Sequence, residues 1–352
     1  MWAASATGCP VPTTGPITRP PGWPRGSTVI GYIVRRIGGG IAVLVAVALM
    51  VFVLFESLDS DAATVMLSRT GGGDPTPEQL AALRAELGLD RPAPIRFAEW
   101  MFGFLHGDFG DSLLSGRPVG EVLLGRAGNS VTLAAITAAL LIPVALVLGL
   151  VAGARAGSRT DRVISTVALA AESVPSFVFG VLLVATVALS LRLLPAVSLL
   201  PTGAGPWSRP EILVLPVACL VIGLAPHPVR MVRAQTAEVI SSAYIRTARL
   251  NGVGGVRLLV RHIAPNAVSA SIHPLAGSVV GLIGGVAVVE TLFSYPGLSQ
   301  ELLRAIEARD FPFVQSAAVL MAAVGIGVYL VADLLAMLVS PATRLLFTKG
   351  RI

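Results

Sequence analysis

The sequence predicts an all-α, polytopic membrane protein with six transmembrane helices, on the basis of its composition, its apolar segments and the distribution of its charges. Hydrophobic residues make up 54% of the 352 positions, charged residues 13%, and the mean hydropathy is +0.79. A soluble domain has about a quarter of its residues charged, so this composition argues against a soluble globule. Cys9 and Cys219 fall in unrelated segments, so neither a disulfide nor a thiolate metal cluster is expected.

Six segments are apolar enough to cross the bilayer core, which takes about 20 helical residues. The third contains Glu172 and Pro175, and the fourth ends in Pro226-His227-Pro228. Because proline kinks or breaks a helix, these two spans are predicted to be kinked or broken. The segments are residues 37–55, 131–152, 163–191, 211–229, 269–290 and 314–340.

The orientation follows from the basic residues of the connecting segments, since cytoplasmic segments retain Lys and Arg. The segments assigned to the inside hold 16 basic and 2 acidic residues, and those assigned to the outside hold 10 and 16. Both termini are therefore expected in the cytoplasm. Arginine makes up 25 of the 26 basic residues, a compositional bias that indicates no nucleic-acid partner.

The amino-terminal residues 1–28 are rich in Pro, Gly, Ser and Thr, which is typical of a disordered tail. A cleaved signal peptide is the alternative for the region that follows. The apolar part of a signal peptide runs about 7–15 residues, whereas this one is longer. The first transmembrane helix, within residues 29–56, is therefore expected to be retained.

The largest external segment, residues 57–130, is predicted to contain two short amphipathic helices. Thr76, Pro77 and Gln79 form a capping box at the start of the first helix, and Gly88 is its left-handed stop. The second helix, over residues 95–105, carries aromatic residues of the kind favoured at a membrane interface. The segment is interpreted as either a lid on the helix bundle or a docking surface for an external partner.

Three polar residues, His106, Asp108 and Asp111, follow in a glycine-rich turn. As a metal site they lack a fourth ligand and a cysteine, so turn geometry explains them better. No metal site is expected.

The inner segment 230–268 is longer than a simple connection requires and carries six arginines and one glutamate. Residues 238–250 have helical composition, Ser241 or Ser242 can cap a helix, and Asn251-Gly252 is a helix stop. The pattern predicts a helix, a glycine turn and a second helix. This segment either docks a partner or lies on anionic lipid.

The second of these helices is predicted to run up to Pro265, which ends or kinks it. Arg257 and Arg261, four residues apart, fall on one face. The apolar stripe is predicted on another face, from Val256, Leu259, Val260 and Ile263.

Residues 243–252 (AYIRTARLNG), followed by residues 257–262 (RLLVRH), resemble the cytoplasmic loop of ABC-transporter permeases of the peptide/nickel importer family. In that family this loop carries the EAA motif, which docks on the ATPase subunit. Ala248 and Gly252 stand at the motif's small-residue and glycine positions, and Thr247 replaces its usual acid. The resemblance assigns ATPase coupling to Tyr244, Arg246, Thr247, Ala248, Arg249, Asn251, Gly252, Arg257 and Arg261.

Other segments resemble signatures of the same family, so the resemblance extends over residues 30–345. The turn at residues 56–61 and the longer tail depart from the family pattern. The matching segments are residues 32–36 (YIVRR), 83–92 (LRAELGLDRP), 107–112 (GDFGDS), 116–119 (GRPV), 173–177 (SVPSF), 289–298 (VETLFSYPGL) and 308–312 (ARDFP).

The resemblance implies a type I ABC importer permease in the cell membrane, with a core of five transmembrane helices in residues 131–345. Its implied partners are a second homologous permease, two ATPase subunits, an extracytoplasmic solute-binding protein and membrane lipid. No G-x-x-x-x-G-K-[ST] loop occurs, so the chain is not expected to be an enzyme or to bind a cofactor; ATP and Mg²⁺ belong to the partner ATPases. The implied cargo is a peptide, with nickel complexes or haem as alternatives.

Ionisable residues inside a span are functional candidates by default. Asp333 is expected to snorkel or to pair with an arginine. Glu172 either faces the translocation path or pairs with Arg230 or Arg233. The candidates for the path are Glu172, Pro175, Ser176 and Glu290.

Three other features of the predicted spans are expected to serve packing. His227 and His273 flank spans beside prolines, where packing is a better explanation than chemistry. A small-residue face on the fifth span predicts a bundle or dimer seam. This face consists of Gly277, Gly281, Gly284 and Gly285.

Two other functional classes are alternatives to the permease. An ion-coupled secondary transporter predicts matching halves with discontinuous helices, and residues 30–190 show no similarity to residues 191–345. An intramembrane hydrolase requires a nucleophile paired with a histidine or a second aspartate at membrane depth, and Asp333 has no such mate in the sequence.

Overall fold

The computed structural model describes residues 29–57, 62–70, 76–113, 115–201 and 204–339. Within these ranges the protein is helical, contains no β-strand, and has one isolated β-bridge between Asp111 and Pro118. The predicted tail, part of the turn at residues 56–61, and the basic residues that close the chain lie outside the described residues.

The α-helices are numbered in chain order. A 3₁₀ turn at Pro206–Ser208 precedes α8, and π-helical segments at Val184–Ser190 and Leu259–Ile263 continue α7 and α11. The helices are α1 (Val29–Glu56), α2 (Ala62–Thr70), α3 (Pro77–Glu86), α4 (Ala93–Leu105), α5 (Val119–Ala154), α6 (Arg159–Glu172), α7 (Ser176–Leu183), α8 (Glu211–Leu224), α9 (Pro226–Ser241), α10 (Ala243–Leu250), α11 (Gly255–Leu258), α12 (Ala264–Leu292), α13 (Leu298–Glu307) and α14 (Phe311–Val339).

Four helical stretches are long and apolar enough to span a membrane, at Val34–Glu56, Val119–Ala154, Gly255–Leu292 and Phe311–Ala336. Two further pairs of helices pass the same test together. The α6–α7 pair is bent by 94° and the α8–α9 pair by 45°. The described chain thus has four candidate spans, or up to six if each bent pair crosses once. The prolines identified in the sequence lie at both breaks, as predicted.

The start of α5 differs from the sequence-based boundary, because the helix begins at Val119 rather than at residue 131. Its first turns alternate buried and charged positions, so their mean hydropathy is too low to be recognised as part of a span. Val119 and Leu123 are fully buried against Leu298 of α13 and Phe313 of α14. The amino-terminal turns of α5 therefore belong to the bundle and not to a loop.

The bundle has two ends, which we name by the helices they carry. At the α3 end, Asn129 Nδ2 donates to Pro296 O at 2.8 Å, and Ser198 N donates to Phe293 O at 2.7 Å. The α10 end carries the connection from α5 to α6 and the segment between α9 and α12. The two hydrogen bonds show that the segments after α7 and after α12 lie at the same end as the amino-terminal part of α5.

The predicted capping box at the start of α3 is confirmed. Gln79 N donates to Thr76 Oγ1 at 3.3 Å, and Thr76 N donates to Gln79 Oε1 at 3.1 Å. Gly88 has φ +65°, the left-handed conformation expected after the helix. The predicted aromatic helix forms as α4, and its Phe97 packs edge-on against Phe52 of α1, with ring centroids 5.3 Å apart.

The glycine-rich turn after α4 uses its polar groups locally. His106 Nδ1 hydrogen-bonds Phe102 O at 2.8 Å, and Gly110 N donates to Asp108 Oδ1 at 3.0 Å. Asp310, which precedes α14, accepts hydrogen bonds from Ser112 Oγ and Leu113 N. The segment that follows α4 is thereby fastened to the start of the last helix.

The helices approach most closely where α5 crosses α9. A Cβ at Gly149 would lie 2.6 Å from Val232 Cβ, and one at Gly153 would lie 2.5 Å from Thr236 Cβ. These glycines bring two backbones together, as small residues do in membrane bundles. The pair α5 and α9 is the rigid link between the α10 end and the bundle.

The glycine face predicted on the fifth span serves the bundle at only part of its length. A Cβ at Gly285 would meet Leu224 Cδ1 at 3.0 Å, which makes that position a seam within the chain. A Cβ at Gly281 or at Gly284 would meet no neighbouring atom of the described chain within 4 Å. The dimer alternative therefore remains a prediction for these two positions.

Candidate functional site

The predicted helix, glycine turn and second helix between α9 and α12 are present at the α10 end. Ser242 separates α9 from α10, has extended backbone dihedral angles, and its Oγ accepts a hydrogen bond from Ile245 N. The same hydroxyl donates to Val239 O at 2.6 Å. Of the two predicted caps, Ser242 is the one used, and it sets the direction in which α10 leaves α9.

The glycine turn after α10 is a Schellman motif. Val253 N donates to Ala248 O at 3.1 Å, and Gly252 N donates to Arg249 O at 3.0 Å. Gly252 has φ +81°, a conformation that residues with a Cβ rarely adopt. Glycine at this position is therefore explained by the backbone, and the turn holds α10 at a defined angle.

Of the two predicted effects of Pro265, an end or a kink, the end is wrong, because the second helix continues past the proline. Residues Gly255–Leu292 form one continuous helical stretch, in which a π-helical segment at Leu259–Ile263 precedes the proline. In an α-helix, Pro265 would remove a hydrogen bond and clash with the carbonyl four residues back. The π-helical segment lies immediately before the proline, and through it α11 runs directly into the membrane helix α12.

The interior of this helical hairpin is formed by Ile245, Ala248, Leu258 and Ile263, all of which are buried. The predicted apolar stripe is only partly in this interior, because Val256 and Val260 are 76% and 62% exposed. The π segment adds a residue to the turn and shifts the buried face from the spacing of a regular α-helix. Of the predicted stripe, Ile263 and part of Leu259 face inward.

The outer surface of the hairpin, which we call the α10 surface, combines arginines with exposed apolar side chains. Within the described chain, Arg246, Arg249, Arg257 and Arg261 form no ion pair. Leu250 is 81% exposed. The α10 surface consists of Tyr244, Arg246, Thr247, Arg249, Leu250, Asn251, Gly252, Val256, Arg257, Val260 and Arg261.

The sequence-based set is thus exposed on the hairpin, except Ala248, whose side chain is buried and whose carbonyl closes the turn. Sequence reasoning missed Leu250, Val256 and Val260. Leu250 lies five residues after Ile245, out of phase with the buried positions 245 and 248, and this spacing could have identified it. Exposed large apolar residues beside unpaired arginines are typical of an interaction site.

Tyr244 joins the two halves of the hairpin. Its hydroxyl lies 2.5 Å from His262 Nδ1, and the two ring centroids are 5.7 Å apart. Because Tyr244 is on α10 and His262 is in the π segment, this contact and the buried cluster make the hairpin one unit. Tyr244 therefore ties α10 to the helical stretch that runs into α12.

A second connection leads from α9 to the α5–α6 turn. Arg233 donates from Nε and Nη2 to the two carboxylate oxygens of Asp161, both at 2.8 Å, and Asp161 is buried. Asp161 also accepts from Gly157 N at 2.8 Å and Ser165 Oγ at 3.2 Å. The sequence predicted Glu172 as an alternative partner of Arg233, but Arg233 contacts Asp161 instead.

Glu172 instead pairs with Arg230, as the other alternative predicted, and lies 3.3 Å from His227 Nδ1. The three side chains remain partly exposed, between 34% and 57%. They lie at the break between α6 and α7, where Pro175 precedes α7. Ser176 at the start of α7 packs against Gly223 of α8. Three of the four path candidates are therefore together at a bent, polar place in the bundle.

Glu290, the fourth path candidate, lies at the α3 end and is fully buried. Its carboxylate accepts hydrogen bonds from Ser130 Oγ, from Ser299 N at 2.8 Å and from Gln300 N at 3.1 Å. Next to it, Tyr295 donates to Asn129 O at 3.0 Å, and burial, followed by the Glu290 charge, raises the pKa of Tyr295. Within the described chain Glu290 connects α5, α12 and α13.

Asp333 pairs with an arginine, as predicted. The partner is Arg36 of α1, and His273 Nε2 of α12 lies 2.9 Å from the other carboxylate oxygen. His227 and His273 each lie within hydrogen-bonding distance of a carboxylate, Glu172 and Asp333 respectively, which was not predicted from the sequence.

The long apolar helices, the two bent helix pairs and the exposed basic hairpin define a class, the multi-pass membrane transport proteins. Comparison with known proteins identifies the family. Residues 145–345 match the binding-protein-dependent transport system inner membrane component, and residues 29–117 match the N-terminal part of such membrane components. The chain belongs to this family and is an ABC importer permease of the peptide/nickel type, a transport subunit and not an enzyme.

Curated relatives match over nearly their whole length. The probable peptide ABC transporter permease of Sinorhizobium fredii is 32% identical over 89% of this chain and 99% of its own. The glutathione transport system permease of Salmonella choleraesuis is 30% identical over 90% of this chain and 99% of its own. The metal-staphylopine import system permease of Staphylococcus aureus is 29% identical over 89% and 98%. The family places this chain in the inner membrane with ATPase and solute-binding partners.

Proposed function

We propose that this chain is the membrane subunit of an ATP-driven peptide importer and that the α10 surface docks the ATPase. The observation that carries the proposal is the α10 surface, on which four arginines without an ion pair in the described chain are exposed together with Leu250, Val256 and Val260. Such a surface fits a partner groove that is acidic at its rim and apolar inside.

The mechanism follows from the connections of the hairpin. The Schellman turn, the buried cluster and the Tyr244 contact hold α10 and α11 together, and α11 continues into α12. Arg233 and Asp161 connect α9 to the α5–α6 turn. A movement imposed on α10 by a closing ATPase pair therefore acts on α9, on α12 and, through Arg233 and Asp161, on the α5–α6 turn. Because these elements move together, the ATPases can drive a rigid-body transition.

The orientation proposed is six crossings with both termini in the cytoplasm. It is supported by the basic residues, 16 of which fall in the segments assigned to the inside, and by the location of the arginine-rich α10 surface. In this arrangement residues 57–118 face the outside and receive the solute-binding protein. The permease core then runs from α5 to residue 345.

The complete importer is proposed to contain two ATPases and a second permease homologous to this chain. A Cβ at Gly281 or Gly284 would meet no neighbouring atom of the described chain within 4 Å, so both positions are available for close packing with that second permease. ATP and Mg²⁺ are proposed to bind the ATPases, and no cofactor is assigned to this chain.

A peptide is the proposed cargo, because relatives are described as permeases for peptides and for glutathione, which is itself a peptide. The proposed path passes the break between α6 and α7, where Glu172, His227 and Arg230 remain partly exposed. Polar side chains at that depth are costly unless they face water or one another.

The test is purification of the tagged chain from its native membrane in mild detergent, with mass spectrometry of the co-purifying proteins. Two ATPases are expected with the wild type. Leu250→Asp and Arg249→Glu should each reduce the recovered ATPase and abolish peptide-stimulated ATP hydrolysis. Arg162→Glu is the matched control, since Arg162 is an exposed arginine at the same end without an ion pair in the described chain.

Equal ATPase recovery in the Leu250→Asp and Arg249→Glu variants would contradict the docking surface. A wild-type chain that is recovered alone, yet supports uptake driven by an ion gradient, would contradict the ATP-driven importer as a whole.

A further inference from the structure

A groove of about 560 Å³ lies between α1 and α14 near the end of the span that carries Arg35. Its polar rim is formed by Arg35, Arg36 and Tyr329. Its apolar wall is formed by Val43, Ile326 and Leu330. The groove is away from the α10 surface, and neither the family nor the proposed function requires it.

Glycines of α1 create the groove. Gly40 is in such close contact with α14 that a Cβ there would lie 2.9 Å from Ile326 Cγ2, which brings the two helices together. One residue earlier, a Cβ at Gly39 would meet no atom within 4 Å. The helices therefore touch at Gly40 and leave an open recess over Gly39, just below the arginines.

The charges at the rim leave one positive charge uncompensated. Arg36 donates from Nε to Asp333, whose other oxygen contacts His273. Arg35 is exposed and forms no ion pair or hydrogen bond among the residues the structure describes. The Tyr329 hydroxyl, on the same face of α14 as Asp333, has no hydrogen-bond partner in that part of the chain either.

The depth of these groups matches the headgroup region of a bilayer. The apolar segment of α1 begins at residue 37, so Arg35 and Arg36 lie just before it, at the boundary where the hydrocarbon starts. Tyrosine and arginine are favoured at this level, and the residues below them are apolar. A phosphate at the rim would be continuous with an acyl chain along Val43, Ile326 and Leu330.

We propose that the groove binds one anionic phospholipid, with its phosphate at Arg35 and Arg36, a glycerol oxygen at Tyr329, and an acyl chain over Gly39. The uncompensated charge of Arg35 complements the single negative charge of such a lipid. A free phosphate would leave the apolar wall unfilled. A transmembrane helix of a second permease would leave the Arg35 guanidinium in an apolar interface, at a high cost.

The first test fills the groove. Gly39→Leu places a side chain in the recess, and Gly38→Leu is its matched control, because Gly38 is equally open but does not line the groove. The full chain, with its co-purifying subunits, is extracted in mild detergent, and bound lipid is measured by native mass spectrometry. One anionic phospholipid per chain is expected in the wild type and in Gly38→Leu, and none in Gly39→Leu.

The second test removes the charge. Arg35→Gln should weaken binding of phosphatidylglycerol to the delipidated chain about fivefold, the effect of one basic side chain at a membrane surface. Arg162→Gln, which removes an exposed arginine elsewhere, should leave binding unchanged. Phosphatidylcholine and inorganic phosphate are the two comparison ligands, and neither should compete at the same concentration.

Three outcomes would overturn the proposal. Equal lipid retention in Gly39→Leu and Gly38→Leu would show that the groove is not the site. Competition by inorganic phosphate at the same concentration would assign the rim to a soluble anion. Cross-linking of two permease chains through the Gly39→Cys substitution in native membranes would assign the groove to a subunit interface. None of these outcomes bears on ATPase recovery, so the docking proposal is tested separately.

Discussion

Gly297 packs directly against the carboxylate of Glu290, and a Cβ at position 297 would lie 1.9 Å from Glu290 Oε1. The same carboxylate accepts hydrogen bonds from the backbone at Ser299 and Gln300, in the first turn of α13. Glu290 thus caps the start of α13 from the neighbouring helix α12. Glu290 was predicted from the sequence as a candidate for the translocation path, and its role as a cap of α13 explains why it is buried.

Gly297→Ala should destabilise the chain by about 1–3 kcal/mol, the usual cost of overpacking a well-filled interior. Gly297 has φ −99°, so the effect would come from the contact with Glu290 and not from backbone strain. Thermal unfolding in detergent measures it. Gly205→Ala, at an exposed position with no neighbouring atom within 4 Å, should leave the melting temperature unchanged.

Glu290→Gln should lower stability by roughly 1–3 kcal/mol, because an amide cannot accept all the hydrogen bonds that the buried carboxylate receives.

Glu172→Gln should instead leave thermal unfolding nearly unchanged and lower peptide uptake several-fold, since Glu172 is partly exposed at the α6–α7 break. Uptake into proteoliposomes and melting temperature are measured for both variants. A lower melting temperature for Glu172→Gln, with a loss of uptake no larger than the loss of folded protein, would show that Glu172 is also a structural residue.

Arg233→Met should cost roughly 1–3 kcal/mol, because it removes the bidentate partner of buried Asp161. The double variant with Asp161→Asn should recover part of the loss, since no uncompensated charge is then left. Arg159→Met, at an exposed arginine without an ion pair in the described residues, is the control. A double variant no more stable than Arg233→Met would mean that the pair acts by packing alone.

Gly252→Val should strain the turn after α10 by about 1–2 kcal/mol, whereas Gly252→Asn should be tolerated, because asparagine adopts the left-handed conformation more readily. Neither side chain would clash, since no atom lies within 4 Å of a Cβ at this position. Hydrogen exchange of the amides of residues 252 and 253 measures the opening of the turn. Equal exchange in the two variants would contradict the assignment of Gly252 to backbone geometry.

Several elements of the fold are encoded by short patterns and were predicted from them. The capping box at Thr76 and the glycine stop at Gly252 are local, because each is a hydrogen-bond pattern among residues that are close in sequence. The breaks at Pro175 and near Pro226 follow from the missing proline N–H. Hydropathy located the apolar spans, although it missed the amphipathic start of α5 at Val119.

The errors occurred where the neighbouring helix decides the outcome. Val256 and Val260 were predicted to form one apolar stripe with Leu259 and Ile263 because a regular helical period was assumed, and the π segment at Leu259–Ile263 departs from that period. The glycine face of α12 could not be divided by sequence into Gly285, which packs in the bundle, and Gly281 and Gly284, which do not. Glu290 could not be recognised as a cap, since the amides it binds belong to another helix.

The sequence by itself determined the membrane class, the helix breaks and the family, because composition, proline and local motifs act over a few residues or over averages. Only the tertiary structure decided which arginine pairs with Glu172, which with Asp161 and which with Asp333. These choices depend on which helices cross and at what depth, and the crossing of α5 and α9 is fixed by the packing of Gly149 and Gly153 against Val232 and Thr236. No single stretch of sequence contains a signature of such long-range contacts, because the partner of each residue is determined only once the helices have packed.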